Sequence, residues 1–296
     1  MEYNHIPVML SEVMEALNPK TGGVFIDCTL GGAGYTMALA KKVGSKGKIL
    51  GIDLDKNALK NAKNKIKDSK LENIVLVQGN FKNLKEIISK SFGAKQKFDG
   101  IVFDLGLSSF QLDDENRGFS FKGERPLDMS FGSKSENDTV QIINNYSLLE
   151  LTRIFREYGE EKMAYQIAKA IVEARKNKKI EKTSDLVHII EDKIPLRFRT
   201  KIHPATRIFQ ALRMETNTEL KNLAEVLPQA VELLKKSGKI AVVSFHSGED
   251  RIVKWFFKGD EHIKILTKKP LIPCAQESAE NPRSRSAKLR IAEKIV

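Results

Sequence analysis

Short apolar runs alternate with segments of helical periodicity through the first third of the chain, and this alternation restricts the fold more than any other feature. Between two of the runs, Asp55 is a residue type that caps helix N-termini, and apolar residues recur behind it at helical spacing. Nearly continuous apolar strands with helices between them are typical of a parallel sheet covered on both faces. The sequence therefore predicts a doubly wound α/β fold. The four predicted strands are Val24–Asp27, Lys48–Asp53, Ile74–Val77 and Phe98–Asp104.

A helical segment interrupts this pattern. Residues 111–138 are polar and rich in glycine, and the helical patterns that follow have no strand signal between them. A buried strand returns at Lys239–Phe245, and Ser247 with Asp250 three residues later predicts the start of another helix. We therefore expect a Rossmann-like α/β domain, formed by residues 1–110 and 215–296, with an all-helical insertion at residues 111–214. The predicted insertion helices are Leu148–Tyr158, Glu161–Lys176, Ser184–Lys193 and Pro204–Met214, and the last two predicted strands are Ile263–Thr267 and Leu289–Ile295.

The charge and composition of the chain limit its partners and its compartment. The chain has 50 Lys and Arg residues against 38 Asp and Glu residues, a net charge of +12. The electrostatic field of such a positively charged protein favours nucleic acid as a partner, although surface lysines can also serve solubility alone.

The composition also limits the kinds of site and the compartment. Two cysteines are too few for a disulfide framework or a cysteine-rich zinc site. No apolar run approaches the ~18 residues that span a bilayer, and no secretory signal is evident. We expect a cytoplasmic protein with no membrane association.

Residues suited to a nucleoside cofactor follow the predicted strands at their carboxyl ends. The glycine run Gly31–Gly34 follows the first strand, where it permits a tight turn and close approach to a ligand. Asp53 ends the second strand 22 residues after Gly31, a spacing that lets a carboxylate accept the hydroxyls of a ribose. Phe81 follows the third strand and Asp104 ends the fourth. Since the carboxyl ends of parallel strands share one edge, these residues are predicted to line one pocket.

Longer motifs extend along nearly the whole chain. They are Asn4–Leu10, Asp27–Gly34, Asp104–Ser109 with Gln111–Asp113, Arg117–Phe121, Pro126–Met129, His203–Arg207, Ser244–Ser247, Glu249–Arg251 and Asn281–Arg290. In this order they resemble the motifs of the RsmH (MraW) family of S-adenosylmethionine-dependent ribosomal RNA methyltransferases. The resemblance implies a Rossmann-like methyltransferase sheet with S-adenosylmethionine as cofactor. It also implies methylation of N4 of a cytidine in the decoding centre (P-site region) of 16S rRNA, either as bare RNA or within the small ribosomal subunit.

The resemblance assigns cofactor contacts residue by residue, and the chain departs from the family at two places. The family usually has His at the position of Tyr35, so a backbone contact there would survive the change, whereas a side-chain role at this position stays open. It usually has Arg-Met-Asp where this chain has Ser130-Phe131-Gly132, so any contribution of a basic side chain at Ser130 must be absent or come from another residue. The implied cofactor-binding residues are Ala33, Gly34, Tyr35, Asp53, Phe81, Asp104 and Gln111.

The chemistry implied by this family needs positioning more than a metal. The exocyclic amine of cytosine is a poor nucleophile because its lone pair is delocalised into the ring. A site must accept hydrogen bonds from the amine, align it with the donor methyl and stabilise the positive charge that develops on nitrogen. We expect the turn Leu105–Ser109 to orient the amine, with Asp104 and Ser108 as catalytic residues, and we expect no metal site. The sequence leaves two roles open for Asp104, which either acts on the amine or only holds the cofactor.

A cytosine in folded RNA has to be unstacked to reach such a site, so basic residues are expected to hold the RNA. Four basic residues, Arg290 among them, fall within eight positions near the C-terminus, which suits phosphate contact, although a solvated linker is the alternative. His246 follows a strand that ends near the site, and it is either a base-pocket residue or a capped loop histidine. The insertion is the other expected RNA-recognition part. The predicted RNA-binding residues are Arg207, His246, Arg251, Arg283, Arg285 and Lys288.

Two alternatives remain at the level of the sequence, and the oligomeric state, monomer or homodimer, is open. A nicotinamide-dependent oxidoreductase would use the same sheet, but Met37 stands where the third glycine of G-x-G-x-x-G belongs, and no Tyr-x-x-x-Lys hydride-site pair is present. A non-catalytic RNA-binding ribosome-assembly factor would be expected to have lost Asp53 or the glycine loop, and this chain keeps both.

Overall fold

The apolar runs of the sequence form one mixed seven-stranded sheet in the order β3-β2-β1-β4-β5-β7-β6. Strands β1 to β5 are parallel where they pair, and β7 lies antiparallel to both β5 and β6. The order reverses direction between β1 and β4, so the switch point lies at the carboxyl ends of these two strands. The strands are β1 (Val24–Asp27), β2 (Lys48–Asp53), β3 (Ile74–Gln78), β4 (Phe98–Asp104), β5 (Leu234–Ser244), β6 (Ile263–Ile265) and β7 (Lys288–Lys294).

Helices cover both faces of the sheet because successive strand residues point to opposite sides. Ile26, Leu50 and Phe103 belong to one buried apolar cluster, whereas Phe25 and Ile49 belong to another on the opposite face. The predicted doubly wound α/β fold is therefore confirmed. The helices that accompany the sheet are α1 (Leu10–Leu17), α2 (Gly34–Val43), α3 (Lys56–Ser69), α4 (Leu84–Phe92), α10 (Glu219–Leu233), α11 (Ser247–Gly259) and α12 (Ala275–Glu280).

The chain divides into two compact units, residues 1–108 with 220–296 and residues 109–219. The structure, a computed structural model, describes residues 7–108, 111–112, 114, 116–121, 123–132, 135, 137–194 and 203–296. No helix in these ranges is both long and apolar enough to cross a membrane. The helices of the second unit are α5 (Thr139–Asn145), α6 (Leu148–Glu157), α7 (Ala164–Asn177), α8 (Thr183–Lys193) and α9 (Ala205–Thr216).

Local hydrogen bonds explain where the helices of the second unit begin and how they join. Ser147 and Glu150 form a reciprocal capping box at the start of α6. The side-chain amide of Asn144 donates to the carbonyl of Ile180 at 2.8 Å, and its oxygen accepts from the Ile180 amide at 3.0 Å. This pair of bonds fixes the end of α5 against the connection between α7 and α8.

The predicted starts of the fifth strand and of the helix that follows it are wrong. Strand β5 begins at Leu234, five residues before the predicted start at Lys239, and the pairing register shifts between Phe98 and Gly100 of β4. Polar residues and a glycine before Lys239 therefore concealed the start of the strand. Helix α11 is capped by His246 and not by Ser247, because His246 accepts from the Glu249 amide while the Glu249 carboxylate reaches back to the start of the helix.

Candidate active site

The glycine loop after β1 is organised by a buried carboxylate. Asp27 is completely buried, and its Oδ2 accepts hydrogen bonds from the Thr36 hydroxyl at 2.8 Å and the Thr36 amide at 3.2 Å. Its Oδ1 accepts from the Thr29 amide at 3.2 Å. Burial raises the pKa of Asp27 to about 6 in spite of these bonds, which favour the charged form. The carboxylate thus fixes both ends of the loop.

The backbone of the loop adopts an uncommon conformation just before the start of α2. Gly31 and Ala33 both have positive φ, at 45° and 64°. Ala33 is the N-cap residue of α2 and has no side-chain oxygen with which to cap it. A Cβ on Gly34 would lie 2.5 Å from Cγ of Pro7, so only glycine permits this close packing. The first turn of α2 therefore offers backbone donors and a positive dipole end to an anionic group.

Tyr35 uses its side chain for structure. The ring is buried, and the hydroxyl donates a hydrogen bond to the carbonyl of Val8. Burial, with Asp104 as the next contribution, raises the pKa of Tyr35 well above its usual value. The hydroxyl therefore stays protonated and anchors the segment before α1 onto α2, which leaves the backbone of Tyr35 for a ligand.

Asp53 connects the end of β2 to the glycine loop. Its Oδ2 accepts from the Gly31 amide at 2.8 Å and its Oδ1 from the Asp55 amide at 2.8 Å. Burial raises the pKa of Asp53 to about 6, and the nearby charges of Asp55 and Asp27 add to this rise against the two backbone hydrogen bonds. Each carboxylate oxygen retains a further lone pair, so Asp53 can still accept hydrogen bonds from the hydroxyls of a ribose.

Asp104 ends β4 at the switch point with a buried carboxylate oxygen, Oδ1, that has no hydrogen-bond partner among the described residues. Its backbone amide donates to the Thr29 hydroxyl at 2.6 Å, which ties the ends of β1 and β4 together. Burial raises the pKa of Asp104 well above its usual range, and the charges of Asp27, Glu249 and Glu277 raise it further. A buried carboxylate among other acids is stable only with a proton or a cation beside it, so this position fits a positively charged ligand.

Phe81 and Ser108 lie at the two neighbouring strand ends. Phe81 begins a short 3₁₀ helix after β3, and its half-buried ring packs edge-on against Phe103 with 5.8 Å between ring centroids. A Cβ on Gly31 would lie 3.9 Å from Cβ of Ser108, so the turn after β4 passes close to the glycine loop. Gln111 is buried and belongs to the second unit. Ser109, the last residue of the turn predicted to orient the amine, lies outside the described residues.

The predicted RNA-binding residues differ in how accessible they are. His246 has only 11% of its side chain exposed, and its Nδ1 accepts from the Glu249 amide as the cap of α11. Its Nε2 is buried and has no hydrogen-bond partner among the described residues, so capping accounts for only one of its two ring nitrogens. Arg207 is half-exposed, with a guanidinium nitrogen 3.8 Å from the Glu161 carboxylate. Arg290, which the sequence suggested for phosphate contact, is instead buried in β7 and bonds to Asp250 at 2.6 Å.

The other predicted cations lie at the surface of the sheet unit. Arg251 is exposed on α11, and Arg283 and Arg285 are exposed in the 3₁₀ helix Pro282–Ser286. Lys288 lies 3.4 Å from the Asp250 carboxylate and is partly exposed. A polyanion at the surface of this unit can therefore reach these cations, whereas Arg290 has a structural role.

The structure adds residues to the site that sequence reasoning did not identify. Glu277 accepts a hydrogen bond from the Met9 amide at 2.7 Å and contributes negative charge at Asp104. Lys65 donates from Nζ to the carbonyl of Gly32 at 2.9 Å, although its helix reads as a solvated, lysine-rich face. No local pattern marks either residue, because each reaches the site only through the tertiary fold.

Comparisons with known proteins identify the family of the chain. The model of the MraW methylase family matches residues 2–295. Ribosomal RNA small subunit methyltransferase H from Clostridium botulinum is 44% identical and that from Clostridioides difficile 42% identical, and each alignment covers 100% of both chains. The crystal structure of an rRNA methylase from Streptococcus thermophilus is 12% identical, with a TM-score of 0.48 and 98% of each chain covered. The chain therefore belongs to the MraW methylase family, which confirms the resemblance found in its motifs and, with it, S-adenosylmethionine as the cofactor.

Proposed function

We propose that the protein methylates N4 of a cytidine in the decoding centre (P-site region) of 16S rRNA. The observation that carries this proposal is the buried carboxylate oxygen of Asp104 at the switch point, beside the glycine loop, which no described residue hydrogen-bonds. The name shared by the relatives, ribosomal RNA small subunit methyltransferase H, supports the RNA substrate. The family resemblance supports the choice of the cytidine amine. Because the proposed substrate is ribosomal RNA, the protein is proposed to act in the cytoplasm.

The residues of the glycine loop and the neighbouring strand ends would hold the cofactor. S-adenosylmethionine, when bound, supplies a methyl group on a positively charged sulfur. The amides of Gly34 and Tyr35 suit its carboxylate, because they lie at the start of α2. The Ala33 amide already donates to the Leu30 carbonyl at 2.6 Å, so Ala33 would contact the cofactor through its other atoms. Asp53 suits the ribose hydroxyls and Phe81 the adenine. Gln111 is the remaining proposed contact.

Asp104 and Ser108 are the proposed catalytic residues. The amine nitrogen gains positive charge as it accepts the methyl group, and a buried carboxylate beside it stabilises that charge. Because burial and three neighbouring acids raise the pKa of Asp104, the same carboxylate is suited to accept the proton that the amine loses when it is methylated. The Ser108 hydroxyl lies on the turn that approaches the glycine loop, where it can help to orient the base.

The exposed cations Arg207, Arg251, Arg283, Arg285 and Lys288 are proposed to contact the RNA, and the second unit to take part in its recognition. His246 would act at the base pocket only through the small exposed part of its ring. If these cations contact phosphates, the affinity for RNA should fall as the salt concentration rises.

Nucleoside mass spectrometry of small-subunit rRNA tests the proposal directly. RNA from cells with the gene should contain an N4-methylated cytidine that RNA from cells without it lacks. The purified protein should also restore this nucleoside when it is incubated with S-adenosylmethionine and either unmodified RNA or unmodified subunits. Identical nucleoside profiles from the two strains would contradict the proposal.

A thermal-shift comparison separates methyl transfer from dinucleotide chemistry. A ligand that binds only the native state raises its stability by mass action. S-adenosylhomocysteine should therefore raise the melting temperature of the protein, and NAD should leave it unchanged. The opposite pattern would favour an oxidoreductase, and no shift with either ligand would favour a non-catalytic assembly factor.

A further inference from the structure

The exposed face of α11 carries an aromatic ring between two lysines. Trp255, the only tryptophan of the chain, is 60% exposed although it is the largest side chain type in proteins. The ammonium groups of Lys254 and Lys258 lie 5.5 Å and 5.2 Å from the centroid of its ring. The opposite side of the same helix is anchored by the buried residues Val253 and Phe257. The ring is therefore left at the surface of a helix that is itself firmly packed.

We propose that Trp255, with Lys254 and Lys258, forms a stacking site for an unpaired nucleotide of the RNA substrate. This inference rests on the proposed function for the identity of the RNA. Exposed aromatic rings beside cations are the elements with which proteins bind single-stranded nucleic acid, since a base stacks on the ring while the cations meet its phosphates. A ring that served only to shield the core would be buried.

The charges around the ring favour RNA over another protein chain. Neither Lys254 nor Lys258 has a carboxylate within ion-pair distance in the described part of the chain, whereas Lys90 and Lys176 each pair with a glutamate on their own helix. A second copy of this chain would bring the same lysines and a further net charge of +12. A polyanion neutralises this surface, and a like-charged protomer does not.

The position of the face on α11 connects it to the candidate active site. The helix begins three residues after Ser244, the last residue of β5, and β5 pairs with β4 next to Asp104. At 1.5 Å per residue, Trp255 lies about 12 Å along the helix axis from Ser247. Arg251 is exposed one turn earlier on the same face. An RNA strand that leaves the active site along α11 would meet Arg251 first and then the Trp255 ring.

The single tryptophan allows a direct test, because its fluorescence reports this site alone. The parent protein is titrated with a single-stranded RNA of about ten nucleotides, a length within the range that one such surface binds. Tryptophan emission should be quenched along the same curve as the anisotropy of a label on the RNA. Saturation by anisotropy with unchanged tryptophan emission would overturn the proposal.

Variants test whether the ring and its lysines contribute to affinity. Trp255→Ala should raise the RNA Kd at least about fivefold, and Trp255→Phe should restore most of the loss, because stacking needs only a ring. Lys254→Ala with Lys258→Ala should raise the Kd and lower the salt slope, whereas Lys60→Ala with Lys63→Ala on exposed positions of α3 removes the same charge and should have a smaller effect. An unchanged Kd for Trp255→Ala would overturn the proposal.

Two further measurements keep this inference separate from the proposed function. Methyl transfer by the parent to small-subunit RNA, with unchanged RNA affinity in Trp255→Ala, would leave the proposed function standing and reject the stacking site. Quenching by RNA without any methyl transfer would do the reverse. Sedimentation over a range of protein concentrations completes the test, since dimers that disappear in Trp255→Ala would show that the ring binds a second copy and would also overturn the proposal.

Discussion

Asp27, Asp53 and Asp104 end three adjacent strands of one sheet, and all three carboxyl groups have raised pKa values because the fold buries them together. Such an arrangement costs stability in the absence of a ligand, because each charge loses hydration and repels the others. A cation placed among these groups relieves that cost. At the scale of single residues, the site is therefore built at the expense of stability and becomes favourable when a positively charged ligand binds.

The pH dependence of stability should reveal the cost of burying Asp27. Its pKa is about 6 in the folded protein and 3.8 when unperturbed, so between these values the folded state holds a proton that the unfolded state releases. Stability contributed by that proton is present at low pH and is lost as the pH rises through about 6, by about 3 kcal/mol in total. Denaturant unfolding of the parent and of Asp27→Asn from about pH 4 to pH 7 measures it. The stability of the parent relative to the variant should fall as the pH rises, and a constant difference would contradict this assignment.

Asp53→Ala should weaken the binding of S-adenosylhomocysteine by at least about tenfold. The substitution removes the proposed ribose acceptor and also the hydrogen bond that holds the Gly31 amide, and hydrogen bonds to charged groups contribute about 1.5–3 kcal/mol each. Isothermal titration calorimetry gives the Kd. Asp68→Ala, at an exposed position of α3, removes the same charge away from the site and serves as control. Unchanged affinity in Asp53→Ala would refute the ribose assignment.

At the scale of elements, what the sequence could predict depended on whether local residues alone determine the structure. Strand β2 could be predicted within its observed bounds because its interior, Ile49–Ile52, is buried and has no polar side chain. Asp55 caps α3 through its own side chain as expected. The cap of α11 could not, because the choice of His246 over Ser247 depends on Glu249, which is buried and bonds to the Phe245 amide at 2.8 Å. Glu277 was out of reach for the same reason, since its bond to Met9 joins residues far apart in sequence.

Gly34→Ala should destabilise the protein by roughly 1–3 kcal/mol, as overpacking of a dense contact usually does. The new Cβ would lie within 2.9 Å of three side-chain carbons of Pro7, so either α2 or the segment before α1 has to move. Gly259→Ala is the matched control, because a Cβ at that helical position meets nothing within 4 Å. Urea unfolding compares the two variants. An equal free energy of unfolding for both variants would contradict this prediction, because it would mean that Pro7 and α2 can move apart without loss of stability.

At the scale of the whole molecule, the proposed cofactor site and the proposed RNA-binding surface carry charges of opposite sign. Acidic groups are concentrated at the carboxyl ends of β1, β2 and β4, whereas the chain as a whole carries a net charge of +12. The net charge could be predicted from composition, but composition could not distinguish an exposed cation from a structural one. Arg290 is paired with Asp250 and buried, whereas Arg285, a short way before it in the sequence, is exposed. An inner acidic site for a cationic donor and an outer basic surface for RNA are thus compatible.

This separation predicts that RNA affinity and cofactor affinity can be changed independently. Arg283 and Arg285 are exposed on either side of the buried Ser284, so replacing both with alanine removes two cations and leaves the packing residue between them in place. The RNA Kd should rise, and the slope of log affinity against log salt should decrease by about one for each phosphate that the variant no longer neutralises. The Kd for S-adenosylhomocysteine, measured by calorimetry, should stay at the value of the parent.

Lys60→Ala with Lys63→Ala provides the comparison at equal net charge, because both lysines are exposed on α3, a helix that packs on strands β2 and β3 at the other edge of the sheet. If RNA binding depended only on net charge, the two double variants would lose affinity equally. If Arg283 and Arg285 touch phosphates, their variant should lose more affinity and more of the salt slope. RNA binding by the parent that is independent of salt would argue against phosphate binding anywhere on this surface, because releasing counterions from RNA always makes such binding sensitive to salt.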